Sequence, residues 1–436
     1  MTTPCAASPR PPTDGAPSGP SPESSRSRPG RTVANSPALT GRRLTLALGA
    51  MALGGFTIGT TEFASMGLLP QIATGLSVTV PEAGRLISAY ALGVVIGAPL
   101  IVVAAARMER TRLLVLLAAS IAVTNALSAV APTYPAMLAA RFLAGVPHGA
   151  YFGVAALIAA ALAGPARRAR AVSMVMLGLT IATMVGVPLA TALGQAVGWR
   201  STYGLVVLTA LATVVAVWRF VPPLPRPAAP ASARSELRAF RYPQVWFALG
   251  IGAIGFGGMF AVYSYIGEIV PEVFSLTSAA VPVALLVFGI GMALGNLVAG
   301  RLADRSVMGT VVAGLVGMAV LLVGFALTGP VLTAGLPILG MTGLFLIATI
   351  SQFLGPSLQT RLLDASPDAP SLAAALHHSA LNIGNATGAW IGGAVIAAGL
   401  GYLAPAWAGA ILAVAGLAVA GASILVEQRD TERALI

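Results

Sequence analysis

Apolar segments about one bilayer thick recur from position 44 onward, with almost no charge inside them and short polar loops between them. A helix needs roughly 20 predominantly apolar residues to cross the hydrocarbon core, and the pattern predicts twelve such spans. The first six run 44–69, 84–106, 113–131, 134–162, 171–193 and 199–220. The second six run 245–270, 277–300, 308–328, 331–355, 371–398 and 404–426. Between the sets, 221–244 is polar, with Pro222, Pro223, Pro225, Pro227 and Pro230 among Arg226, Arg234, Arg238 and Arg241. The chain is therefore expected to be an all-α membrane protein with six-helix halves at 44–220 and 245–426, a linker at 221–244, and tails at 1–43 and 427–436. Equal halves suggest a parallel internal repeat, each half built from nested three-span units. The alternative is a single bundle of twelve.

Composition supports lipid as the solvent. With 57% hydrophobic and 9% charged residues in 436, one soluble core would leave too little polar surface to face water. Charge then sets the expected orientation. All 25 basic residues are arginine, and 22 fall in the tails and the even-numbered loops. Examples are Arg107, Arg110 and Arg112, then Arg167, Arg168 and Arg170, then Arg301 and Arg305. The opposite loops hold mainly Glu82, Glu268, Glu272 and Arg200. By the positive-inside rule the arginine-rich side, with both termini, is expected in the cytoplasm. The net charge of +11 then reflects topology and contact with anionic lipid rather than nucleic-acid binding, since no basic stripe is interleaved with exposed aromatics. The tail 1–43 is rich in Pro, Ser, Ala and Arg and reads as disordered, with no apolar run that could serve as a signal segment. Cys5, the single cysteine, excludes a disulfide within the chain.

Polar groups inside the spans are few, and each requires a partner or a wet cavity. Glu62 lies about eight residues before Pro70, where the pattern ends span one, hence ~12 Å below that surface. A carboxylate there costs ~2.5–3.5 kcal/mol on insertion scales. It can serve as an exchangeable proton carrier, or it can be held permanently by an arginine. Arg141 in span four is the candidate partner, about seven residues or ~10 Å below the same surface. The alternative for Arg141 is bonding to backbone carbonyls.

Arg141, Gly145 and His148 share one helical face. His148 can titrate near neutral pH or simply donate to a nearby carbonyl. Span eleven offers His378, Asn382 and Asn385 on a similar stripe, with His377 adjacent. Those groups can bind a polar ligand or join helices. Three histidines without a paired acidic ligand argue against a metal site. Span five carries Gly178, Gly186, Pro188 and Gly194, a pattern for close packing and a bend. After span eight, Gly300, Arg301, Leu302, Ala303, Asp304 and Arg305 place an aspartate beside arginines at a helix end, where it can latch neighbouring helices. The loop after span two keeps Arg107, Arg110 and Arg112 but lacks that aspartate, with Ala106 in its place and Glu109 further on.

These residues resemble the major facilitator superfamily, in particular its twelve-span drug:proton antiporter branch, over about 44–426. Gly300 to Arg305 is similar to the family's loop motif, Arg141 with Gly145 to its span-four motif, and Gly178 to Gly194 to its span-five antiporter motif, with Val187-Pro188 for the usual Gly-Pro. Thr61-Glu62-Phe63, Gly67 to Pro70, Ser88 to Ala91, Gly97-Ala98-Pro99 and Gly198-Trp199-Arg200 resemble bacterial sugar-efflux and chloramphenicol-resistance transporters, the actinobacterial ones most closely. The resemblance implies proton-coupled efflux of an antibiotic, with Glu62 and Arg141 in proton coupling and no enzymatic activity or cofactor. It also implies a cavity near Glu62, His148, His378, Asn382 and Asn385, and Arg107, Gly178, Gly186, Pro188, Gly194, Gly300, Asp304 and Arg305 in the conformational machinery. Chloramphenicol is the expected substrate and a sugar or other metabolite the alternative. Protons and membrane lipids are the other expected partners, and the chain is expected to act as a monomer.

Overall fold

The computed structural model describes residues 39–105, 108–224, 240–328, 331, 335–366 and 370–435. The described residues form twelve long helical elements in chain order. The first six are α1 (Gly41–Leu76), α2 (Val80–Ile101), α3 (Arg110–Val130), α4 (Tyr134–Ala163), α5 (Arg170–Val197) and α6 (Arg200–Phe220). The next four are α7 (Pro243–Tyr263), α8 (Ser278–Ala303), α9 (Val307–Leu327) and α10 (Pro337–Ala365). Then come α11 (Pro370–Ala397) and α12 (Ala404–Arg429). Eleven meet the length and hydropathy needed to cross a membrane, and α11 adds a helix of 28 residues. Large apolar side chains stand exposed mid-helix on the peripheral elements, such as Val123 at 60%, Val215 at 61%, Val320 at 65% and Ile411 at 70%. Such a belt requires lipid rather than water. The chain is a multi-pass integral membrane protein.

Local chemistry sets the ends. Glu109 caps α3, accepting from Thr111 N at 3.1 Å and Arg112 N at 3.3 Å. Thr133 caps α4 and Ser306 caps α9. Gly164 and Gly198, both at positive φ, follow the last turns of α4 and α5.

The packing repeats. Within the first half α3 packs on α6, α1 on α5 and α2 on α4; within the second α9 packs on α12, α7 on α11 and α8 on α10. Across the halves α2 lies along α11 and α5 along α8. The register repeats at residue level. Gly93 and Gly97 of α2 sit so close to α4 that a Cβ on either would overlap the carbonyl oxygens of Phe142 and Val146. Gly291 and Gly295 of α8 meet the carbonyls of Phe345 and Thr349 on α10 in the same way. Glycine is required at these four positions because backbone meets backbone.

Several helices are broken, and the breaks also pair. A 3-10 stretch, Ala64–Leu68, interrupts α1, and α7 turns at Ser264 and Tyr265 before continuing as Ile266–Glu272. In α4 the break is at Val146 and Pro147, and in α10 at Gln352 and Phe353. Non-helical backbone at this depth is tolerated where protein covers it.

Three expectations change. Pro70 does not end span one; it stands in the first turn of the segment Leu69–Leu76, where a missing N–H costs nothing, so α1 continues. Glu62 therefore lies 14 residues before Leu76, or ~21 Å along the axis, much nearer mid-membrane. Span ten extends to Ala365, carrying Arg361, whose guanidinium bonds Glu427 at 2.6 Å and 3.1 Å and Gln244 Oε1 at 3.1 Å. Most of the linker, 225–239, and the tail 1–38 lie outside the described residues.

Candidate functional site

Glu62 projects from α1 into the junction of the two halves and is 5% exposed. Its Oε1 accepts from Asn385 Nδ2 of α11 at 3.3 Å, so the carboxylate is bonded across the halves. Its Oε2 lies 3.9 Å from His148 Nδ1 on α4. Next to Asn385, Ser88 Oγ of α2 donates to the Ala386 carbonyl at 2.9 Å and ties α2 to α11. Following Glu62, Phe63 stacks on Phe260 and meets Tyr263 edge-on, both from the second half.

Arg141 is fully buried, but its partner is not Glu62. Nη1 donates to Thr61 Oγ1 at 3.0 Å and Nη2 to the Thr61 carbonyl at 2.9 Å. The Thr61 hydroxyl donates in turn to Asn125 Oδ1 at 2.5 Å, and Asn125 Nδ2 donates to the Ile121 carbonyl at 2.8 Å. The guanidinium lies over the Tyr90 ring at 4.5 Å and near the Tyr203 ring at 5.5 Å. The expected Glu62–Arg141 pair is thus replaced by an arginine held on the peptide and hydroxyl of the residue before the carboxylate. Helix rotation, which depth alone does not fix, directs the guanidinium to Thr61. Carbonyl bonding was the open alternative for Arg141, and it is what the geometry contains.

His148 takes the place beside Glu62. Its Nδ1 is 3.1 Å from the Tyr90 hydroxyl, and its ring meets Phe152 at 5.4 Å and His378 at 6.2 Å. His378 of α11 lies flat on Phe152 of α4, with ring centres 5.6 Å apart and planes 7° apart. Asn382 donates to the His378 carbonyl at 3.0 Å, while Oδ1 of both Asn382 and Asn385 has no hydrogen-bond partner among the described residues. Buried acceptors without donors are costly in isolation and suit a ligand or water.

The conformational candidates lie elsewhere. On α5, Gly178 abuts the Ala52 carbonyl, Gly186 meets Thr60 and Phe56, and Gly194 meets Leu68 and Thr202, so the motif clamps α5 to α1. Pro188 follows a π-turn, Ala182–Gly186, whose Thr183 carbonyl faces Gly289 of α8. Gly300 has open space around it, and Asp304 is exposed after the last turn of α8. Neither Asp304 nor Arg305 joins an ion pair among the described residues. Arg107 lies outside the described residues. In the first half Glu109 accepts from Leu224 N at 3.2 Å, and Thr111 Oγ1 donates to the Pro222 carbonyl at 2.9 Å. Glu109 thus ties the start of α3 to the chain leaving α6.

Sequence reasoning missed Thr61, Tyr90, Asn125 and Phe152 as site residues. A lone amide in an apolar span, Asn125, was a readable signal; the ring of Phe152 was indistinguishable from lipid-facing apolar residues.

A buried carboxylate and an imidazole at the junction of two repeated helical halves fit the position of binding sites in transporters built from internal repeats. The Major Facilitator Superfamily model matches residues 51–370. The chain is 40% identical to the Inner membrane transport protein YdhP of Escherichia coli K12, covering 85% of this chain and 93% of that protein. It is 33% identical to the Chloramphenicol resistance protein of Streptomyces lividans, covering 85% and 94%. The crystal structure of a D-xylose-proton symporter superposes with a TM-score of 0.65 at 18% identity, over 86% of this chain and 97% of that one. The chain belongs to the Major Facilitator Superfamily and is a membrane transporter.

Proposed function

We propose that this transporter exports a small, largely uncharged amphiphile across the cytoplasmic membrane in exchange for protons, with chloramphenicol or a related phenicol as substrate and resistance as the outcome. The observation that carries the reading is Glu62, a carboxylate buried where the halves meet and bonded across them to a neutral amide. Such a group exchanges a proton as the halves move, and its Asn385 bond is one that the movement must break or remake. The site around it is made of amides, imidazoles and aromatic rings, which suits a neutral ligand with polar groups. The Streptomyces lividans relative supports the choice of chloramphenicol. The unpartnered oxygens of Asn382 and Asn385 also suit a hydroxyl-rich ligand, which keeps a sugar or other metabolite as the second reading.

On this reading the termini lie in the cytoplasm, the monomer is the working unit, and the proton gradient supplies the energy without a cofactor. One proton moving through ~100 mV and one pH unit supplies about 3.7 kcal/mol, enough for roughly a 500-fold gradient of a neutral substrate. Uptake of labelled chloramphenicol into inverted vesicles tests the reading. Accumulation is expected only with an imposed proton gradient; equal uptake with and without it would contradict proton-driven export.

A further inference from the structure

We propose that Tyr90 is a positioning residue that assigns separate places to the two α4 groups beside Glu62, making His148 rather than Arg141 the group with which Glu62 exchanges its proton. The inference deepens the proposed function and rests on its reading of Glu62. The ring and the hydroxyl of Tyr90 do different things. Its face carries the Arg141 guanidinium at 4.5 Å, while Arg141 spends two N–H groups on Thr61. Its hydroxyl meets His148 Nδ1 at 3.1 Å. That nitrogen is also the one 3.9 Å from Glu62 Oε2, while Glu62 Oε1 is engaged by Asn385.

The charged and titratable groups around the carboxylate are Arg141 and His148 on α4, Tyr90 on α2, Tyr263 on α7 and, behind His148, His378 on α11. Among the two α4 groups, Arg141 is fixed on the hydroxyl and peptide of Thr61, and a guanidinium offers donors and no acceptor. Imidazole both accepts and gives a proton. The exchange balances within the pair. The O–H bond at Glu62 breaks, an N–H bond forms at His148 Nδ1, and the Tyr90 hydroxyl turns from donating to that nitrogen to accepting from it. The 3.9 Å separation must shorten for transfer, and a hydroxyl at 3.1 Å that suits either state of the ring holds it in place while it does.

The test reads Glu62 directly and needs no substrate. In purified protein the carbonyl stretch of protonated Glu62 is identified in infrared difference spectra as the band lost in Glu62→Gln, and its pH midpoint is measured. His148→Gln removes titration at that ring, and Tyr90→Phe keeps the face under Arg141 while deleting the hydroxyl. Each is expected to move the midpoint by a similar amount, about one pH unit. The double variant should move it no further than His148→Gln alone, because the hydroxyl acts through His148. An unmoved midpoint in either single variant, or additive shifts in the double, would overturn the proposal. If His148→Gln does not fold, the Tyr90→Phe midpoint decides alone. Absence of any titrating Glu62 band in the unsubstituted protein is a different failure: it would overturn the proton-carrier reading itself.

Discussion

Helices α4 and α10 occupy equivalent places, with the carbonyls of Phe142 and Val146 under one glycine pair and those of Phe345 and Thr349 under the other. In that register Arg141 corresponds to Leu344, His148 to Ser351, and Tyr90 on α2 to Phe288 on α8. Leu344 is buried in an apolar cluster, Ser351 Oγ bonds its own helix at the Ala348 carbonyl, and Phe288 stacks on Tyr263 at 4.2 Å. The backbone is duplicated and its charge is not. Glycine contacts hold the repeat in both halves, while the carboxylate, the guanidinium and the imidazole nearest to it stand on α1 and α4 and are met from the other side by the amides and His378 of α11. On the proposed reading, one half moves the proton and the other recognises a neutral ligand, and Glu62–Asn385 is where the two meet.

Placing the arginine in the wrong half should do the most damage. Leu344→Arg buries a cation where no Thr61 awaits it, and a loss of about 3–5 kcal/mol in detergent stability is expected. Tolerance of that change would mean that the second half hides a polar partner and that the asymmetry is weaker than it looks. Next in size, Arg141→Ala is expected to lose about 1.5–3 kcal/mol of stability through its charge-assisted bonds. In double-mutant cycles it should couple to Thr61→Val by at least about 0.5 kcal/mol while adding to Glu62→Gln within about 0.5 kcal/mol. The reverse pattern would restore the Glu62–Arg141 pair. On the neutral side, Asn382→Ala should raise the KM for export about tenfold, the value of one hydrogen bond to ligand, and leave the pH dependence of transport unchanged. A changed pH profile there would spread proton chemistry into the second half. The smallest effect is expected for Asp304→Asn, a modest fall in turnover with unchanged Kd; a damaged Kd with normal turnover would give Asp304 a binding role instead.

Span count, the two halves and Glu62 as a buried candidate were legible because hydropathy and isolated charge are written directly in sequence. Helix ends were less so: Pro70 reads as a stop, yet proline is harmless in a first helical turn, and the 3-10 stretch at Ala64–Leu68 puts it there. The partner of Arg141 was not legible, since matching depth does not specify rotation, and the choice between Thr61 and Glu62 is a matter of adjacent side chains on one helix. His148 was visible as a polar group on the same face, but its approach to Glu62 depends on a hydroxyl from α2. The repeat register was encoded in glycine pairs four residues apart, Gly93 with Gly97 and Gly291 with Gly295, and only their packing against α4 and α10 shows which residues correspond.

The central claim is that Glu62 carries the proton, and it is tested most directly by Glu62→Gln in proteoliposomes under two regimes. With chloramphenicol on both sides, exchange of labelled for unlabelled substrate needs no net proton movement and is expected to persist. With an imposed proton gradient, accumulation is expected to vanish, along with substrate-induced proton flux. A Glu62→Gln protein that accumulates chloramphenicol against its gradient with unaltered pH dependence would contradict the account.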